Sequence, residues 1–357
     1  MKVVNVVDSK QKKKYVDFIY KLYKNDLCFK DTLVGIVKTF LNQSDTFTKE
    51  CYVKPIYVEE NNEILAQCIL IHNHKLPILQ VGFFEAKEGV SKAVYSLINT
   101  AIKEANKLDL KKIVIGLNGH VSYGVGILMD NFDKPIPFDS LYHKSYYVDY
   151  FDKYKFKKLT LTTYFYYTNQ IKFNERILEK VNKEFTFRYL DKKNFKNEMI
   201  LFGNLCNQTL KETPLYFPRD GICMYELLKD LGPFLDKENL IFALKDGKEV
   251  GFIFWHPDFN EIIPGGKKNT MLSLGFNFFF KRRKVNKMII NAIGILEPYQ
   301  RSLVAYGLLN ECYKVTSKKF ESGVTNFVFD NNEDSTLLNK SNTVREDRHY
   351  CVYLLDL

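Results

Sequence analysis

The chain has 357 residues, 46% hydrophobic and 26% charged; the length suggests two domains, and the balance excludes a chain disordered throughout. With 18 Gly and 10 Pro it is not collagen-like, and no run approaches the ~18 consecutive apolar residues of a membrane span. Lys and Arg number 52 against 42 Asp and Glu, a formal charge of +10. Such a balance suits nucleic acid, an anionic membrane face or an anionic cofactor. The cations are spread along the chain without a helix-turn-helix, zinc-finger or RNP-like pattern, so no nucleic-acid partner is expected. The start, MKVVNVVDSKQKKKY, lacks the apolar segment of a secretory signal. The seven cysteines are scattered with no CxxC pair, which reads as buried reduced thiols. The expectation is a cytoplasmic protein with no integral membrane contact and no metal.

In chain order, Tyr15, Phe18, Ile19, Leu22 and Tyr23 repeat at helical spacing. Strands Val53–Val58 and Ile64–Ile71 follow, joined by the turn residues Glu59 to Asn62. A strand at Leu79–Phe84 leads to a long helix with Val94, Ile98, Ala101, Ile102, Ala105 and Leu108 inward. Ile113–Ile115 is a buried-type strand, and Thr160–Tyr167 alternates as the late strand of this half. After a charged connector near Lys172–Glu184 the order recurs. Met199–Lys211 and Met224–Leu231 read as helices, and Leu240–Leu244 and Val250–Trp255 form a hairpin around Asp246, Gly247 and Lys248. A strand at Lys287–Leu296, a helix with Val304, Leu308, Cys312 and Val315 inward, and a strand at Val324–Phe329 come next. A short helix from Asn332 and a closing strand at Tyr350–Leu355 complete the second copy. One element order used twice predicts two α+β lobes with mixed sheets covered by helices. The division is expected between 168 and 186, giving domains 1–168 and 186–357.

Specific strings accompany this order. In the first half they are Val81 to Ala86 before the long helix, and Gly126 to Asp133 after the next strand, with Tyr146, Tyr147, Tyr154 and Phe156 to Lys158. In the second half they are Asp246 to Phe252, Pro257 to Asn260, and the basic Lys281 to Lys284. Together they resemble bacterial tandem proteins of the GNAT acyltransferase superfamily over most of the chain. The resemblance implies a tandem acyl-CoA N-acyltransferase fold and transfer of an acyl group to a small-molecule amine, with acetyl-CoA or another acyl-CoA as donor. The donor is expected in the C-terminal domain and the acceptor in a cleft between domains.

In that superfamily the donor's pyrophosphate rests on backbone N–H groups at a helix start, under a signature Arg/Gln-x-x-Gly-x-Gly/Ala. Here the equivalent is Gln300, Arg301, Ser302, Leu303, Val304 and Ala305, with Leu303 at the central glycine position. Asn332 opens the segment that aligns with the superfamily's acid tyrosine pattern, and Asn339 occupies the tyrosine position itself. An amide has no proton to donate near neutral pH. Glu297 is the carboxylate at the strand edge and the candidate base. The first half offers Glu85 to Ser91 at its equivalent loop, where two carboxylates would repel a diphosphate. Asn118, Asp130, Asp133, Tyr142, Tyr146 and Tyr147 are the candidate acceptor-binding set; the alternative is that the aspartates cap turns and the tyrosines pack between the domains. The departures at Leu303 and Asn339 leave open a second reading, a scaffold that binds a small molecule or partner without chemistry.

His72 and His74 share a strand edge without a third ligand and read as surface residues. Met271–Phe280, followed by Lys281–Lys284, has two readings: an apolar segment pressed on a membrane surface, or a loop folded onto the sheet.

Overall fold

The structure, a computed structural model, describes residues 1–332 and 344–357. Its contacts divide into two compact units. The first holds Met1–Thr162, Pro264–Asn269 and Arg348–Leu357; the second holds Thr163–Ile263 and Thr270–Asp347.

In the first unit the elements are β1 (Lys2–Asn5), α1 (Ser9–Leu22), α2 (Val34–Asn42), α3 (Thr46–Lys49), β2 (Tyr52–Glu60), β3 (Glu63–Asn73) and β4 (Leu76–Ala86). Then come α4 (Ser91–Lys107), β5 (Lys112–Ile115), β6 (Ile127–Leu128), α5 (Tyr147–Asp152) and β7 (Lys157–Tyr167), which crosses into the second unit. The second unit continues with α6 (Glu175–Glu184), β8 (Thr186–Tyr189), α7 (Phe195–Thr209), α8 (Ile222–Leu228), β9 (Leu240–Lys245) and β10 (Lys248–Pro257). It ends with α9 (Met271–Lys281), β11 (Lys287–Ile295), α10 (Val304–Thr316), β12 (Ser322–Thr325), β13 (Val328–Phe329) and β14 (Val344–Asp356).

Within the first unit the strand order is β1-β2-β3-β4-β5-β14, antiparallel except for β4 with β5. Within the second it is β7-β12-β11-β10-β9-β8, antiparallel except for β11 with β12. Each parallel pair needs a crossover, and each crossover is one helix, α4 or α10. The apolar stripe of α4 (Val94, Leu97, Ile98, Ala101 and Ala105) packs on β2 to β5. In α10, Val304, Leu308 and Cys312 do the same against Ile241, Ile253 and Met288. The opposite face of the second sheet is covered by α7, with Met199, Phe202 and Leu205 on Phe242, Phe252 and Phe254. Cys28 is partly exposed, and the other six cysteines are buried and unbridged.

Two sequence expectations are corrected. The late strands are exchanged: Tyr353 to Asp356 of β14 pair with Lys112 to Ile115 of the first unit, while Phe165 to Tyr167 pair with Ser322 to Val324 of the second. Both strands alternate in the same way, so periodicity cannot say which slot each takes; pairing partners far along the chain decide it. Segment Met271–Lys281 is a helix capped by the Thr270 side chain, which accepts from the Ser273 N–H, and not a loop. The expected short helix from Asn332 and the position of Asn339 lie outside the described residues.

The exchange gives a prediction. Cys351 and Tyr353 are fully buried in the first unit's core. Tyr353→Ala is expected to destabilise the first unit by about 3–5 kcal/mol, the cost of truncating a large buried aromatic. Removing Arg348–Leu357 is expected to expose residues 1–162 to protease. Urea unfolding and mass mapping of early cleavage sites check both.

Candidate active site

The two units share a local geometry, built from the point where the parallel strands part. In the first, β4 and β5 are paired from Leu79↔Ile113 to Val81↔Ile115. There β4 carries a bulge: Gln67 faces Glu85 and Ile69 faces Gly82, leaving one extra residue on β4. Phe83, inside the bulge, has φ +50°. In the second, β11 and β12 are paired to Ile290↔Thr325. Phe254 then faces Ala292 and Trp255 faces Ile290, so Asn291 is the extra residue. Past it β11 runs on beside β10 to Ile295, while β13 pairs with β7.

The first unit closes this crotch with its own groups. The chain after β5 lies so near β4 that a Cβ on Gly82 would stand 2.8 Å from the Leu117 carbonyl oxygen. The Phe83 N–H donates to Asn118 Oδ1 at 2.7 Å. The Gln80 amide spans to Gly119, donating to its carbonyl at 3.0 Å and accepting from its N–H at 2.7 Å. The loop from β4 to α4 is held by three hydroxyls of the α5 region. Tyr147 Oη accepts the Ala86 N–H at 2.8 Å, Tyr146 donates to the Ala86 carbonyl at 2.9 Å, and Tyr150 donates to the Lys87 carbonyl and accepts the Val90 N–H at 3.1 Å. The Ala86 and Val90 N–H groups that lead into α4 are thereby engaged by the protein itself.

Glu85 lies beside this plug, and sequence reasoning did not place it among the candidates. Its Oε2 accepts hydrogen bonds from Tyr23 at 2.6 Å and Tyr147 at 2.7 Å. Burial pushes its carboxyl up to about 8, against the pull of the two tyrosines and of Lys144. Glu85 lines a cavity of about 50 Å³ together with Asn118, Tyr142, His143, Phe83 and Phe29. The signal in the sequence is a carboxylate directly past a strand's most buried stretch. It reads as loop charge because nothing local marks the tyrosines that reach it.

The candidate acceptor residues are only partly brought together. Asn118 and Tyr142 line the cavity, and Tyr142 also donates to Asp26 at 3.0 Å, which Lys144 meets at 2.6 Å. Tyr146 and Tyr147 belong to the plug. Asp130 is instead paired with His349, accepting from its backbone N–H at 3.0 Å and meeting Nδ1 at 2.6 Å. Asp133 is exposed on the turn beyond.

In the second unit the corresponding edge is more open. Ile290, Asn291, Ala292 and Ile293 are all half-buried, whereas β4 is buried from Ile78 to Phe84. The strand leads through a short turn at Glu297–Tyr299 into α10. Gln300 donates to the Ile295 carbonyl at 3.3 Å, and Ser302 Oγ donates to the Tyr299 carbonyl at 2.7 Å and accepts the Val304 N–H at 3.3 Å. Arg301 is exposed, Ala305 half-buried and Val304 buried. Leu303 has φ −83°, so no glycine is required there for backbone reasons; its side chain stands 44% exposed. Glu297 is a solvent-exposed partner of Lys211 at 2.9 Å, and that ammonium holds its carboxyl below the usual range. The Asn332 N–H donates to the Phe329 carbonyl at 2.9 Å.

Among the described residues no cluster of His, Cys, Asp or Glu is suited to a metal ion, and no helix is long and apolar enough to cross a membrane. No protein-family model and no curated protein matches the sequence. Solved structures do match. A tandem GNAT protein from the clavulanic acid biosynthesis pathway aligns over 99% of this chain and 98% of its own, with TM-score 0.57 and 8% identity. A protein of unknown function from Enterococcus faecalis, described as a probable N-acyltransferase, aligns over 99% of this chain and 72% of its own, with TM-score 0.58 and 8% identity. The glucosamine N-acetyltransferase region in a fungal multi-domain β-N-acetylglucosaminidase gives TM-score 0.59 at 10% identity over 99% of this chain, which spans 38% of that protein. The chain therefore has an α+β tandem GNAT fold.

A carboxyl raised to about 8 in the folded state, against an ordinary value of 4.5, binds its proton more tightly than the unfolded chain does. Its stabilising proton is fully present below about pH 4.5 and is lost as pH rises through 8. Glu85→Gln, which mimics the protonated acid, is expected to match the wild type near pH 5. It should become the more stable protein toward pH 8, by at most about 1.4 kcal/mol per pH unit between the two values. Urea titrations across that range check the sign.

Proposed function

We propose that the protein is an acyl-CoA-dependent N-acyltransferase that takes acetyl-CoA or a longer acyl-CoA as donor and a small amine as acceptor. In this reading the donor binds the second unit. One observation carries it: β11 is only half-buried from Ile290 to Ile293 where it leaves β12, while the same place in the first unit is buried and held by Asn118, Tyr146, Tyr147 and Tyr150. An acyl-CoA supplies a thioester carbonyl activated toward amines.

The residues present fit such a molecule. Arg301 and the positive end of α10, past the Val304 N–H that Ser302 accepts, suit its diphosphate, since both the cation and the helix dipole favour an anion. Lys211 offsets the Glu297 charge at the same turn. From Ala292 to Ile295, β11 pairs with β10 alone among the described residues, and its outer edge suits an extended amide-bearing arm. Leu303 adds an apolar side chain at the helix start, which should weaken anion binding there without straining the loop. Glu297, exposed and ion-paired, is a poor general base because the Lys211 ammonium lowers the affinity of its carboxylate for a proton. The acceptor is then expected to enter as the free amine, with the rate rising as pH approaches the amine's own pKa. That placement of Glu297, with Leu303 on the loop, is also what favours the second reading, a scaffold that binds without chemistry.

Calorimetry of the full chain with acetyl-CoA and a long-chain acyl-CoA separates the readings. Arg301→Glu is expected to weaken binding at least tenfold, and Tyr150→Phe to leave it unchanged. Thiol release with a polyamine acceptor then distinguishes slow transfer from binding alone. Affinity unaffected by Arg301→Glu would remove the donor from this loop.

A further inference from the structure

Helix α9 has two apolar faces, and among the described residues only one rests on protein. Leu274 and Asn277 are buried, and Phe278 packs edge-on against Phe234 and tilted against Phe259. On the other side Leu272 is 87% exposed, Phe276 63%, Phe279 77% and Phe280 64%. Positions 272, 276, 279 and 280 stand at i, i+4, i+7 and i+8, a single stripe roughly 100° wide. Phe276 packs against Phe280 at 4.6 Å and Phe280 against Phe279 at 5.1 Å, so the three rings form one continuous patch. Solvent exposure of so much contiguous aromatic surface is costly in an isolated soluble protein.

Charge identifies what covers it. Lys281, Arg282, Arg283 and Lys284 follow the patch directly, and all four are exposed. Between Glu261 and Glu297 the sequence has no Asp or Glu but seven Lys or Arg. A second copy of this face would bring like charges together. An acidic protein partner would answer the cations but leaves the three adjacent phenylalanines to find a matched groove. A lipid surface with anionic headgroups answers both: rings enter the headgroup–acyl boundary, and cations stay at the phosphates. We propose that α9 with the Arg282–Lys284 turn is an interfacial anchor that seats the protein peripherally on an anionic bilayer. The proposal is independent of the acyl-transfer reading.

Flotation of the full chain with vesicles tests it, comparing pure phosphatidylcholine with phosphatidylcholine containing about one-third phosphatidylglycerol. Binding to the anionic vesicles is expected to exceed binding to neutral ones at least tenfold and to fall as salt rises. Arg282→Gln with Arg283→Gln is expected to lower it by about fivefold per charge removed. Phe276→Ser with Phe279→Ser is expected to abolish it while leaving the thermal unfolding midpoint unchanged, since both rings are exposed. No association with anionic vesicles overturns the proposal, as does association that survives the double Phe variant. A concentration-dependent dimer that the Phe variant dissolves, with no vesicle binding, assigns the face to self-association and also overturns it.

Discussion

When two parallel strands part, each loses its ladder partner on one side, and every freed N–H and carbonyl must find another. That demand shapes both halves of this molecule. Each half places a one-residue bulge at the point of separation, Phe83 on β4 and Asn291 on β11. The bulge turns the strand away and ends the pairing. Beyond the bulge the halves differ. In the first, side chains meet the demand: Asn118 takes the Phe83 N–H, and Tyr147 takes the Ala86 N–H. In the second, the strand stays half-open past the bulge. A shared backbone geometry is thus held by side chains in one copy and is half-buried in the other.

The closed copy carries an electrostatic cost. Glu85 sits among Tyr23, Tyr147 and apolar groups, and burial outweighs the two hydrogen bonds it accepts. Tyr23 donates to the carboxyl, whereas Tyr147 both donates to the carboxyl and takes the Ala86 N–H at the end of β4. Tyr147 takes part in both, so substituting it would disturb the acid and the loop together.

Much of the fold is legible in the sequence because it rests on local periodicity. The two hairpins, the long helix α4, the strand β11 and helix α10 all have apolar repeats matched to one period. The late strands are legible as strands but fall to the wrong halves, since their alternation is identical in kind. The apolar run of α9 has helical spacing on both sides, which masks its period and leaves a loop reading beside a membrane one. At the site, Gln300 to Ala305 can be located from the turn before an amphipathic helix. Glu85 cannot be singled out, because its environment is assembled from Tyr23 and Tyr147, far away in the chain. Asp130 carries the same ambiguity, and its partner, His349, lies near the opposite end of the sequence.

The strand β14 enters the first unit's sheet between β5 and the start of β7, filling a slot whose other walls are complete by Thr162. On a ribosome moving at about 5–20 residues per second, those walls emerge roughly ten to forty seconds before the strand that closes them. Until then Ile113 to Ile115 present an open apolar edge, a template for pairing with the wrong strand. The nearest wrong strand of similar alternation is the second half of β7, already on the same nascent chain. Keeping that edge from mispairing until β14 arrives is a constraint on how this molecule folds rather than on how it works.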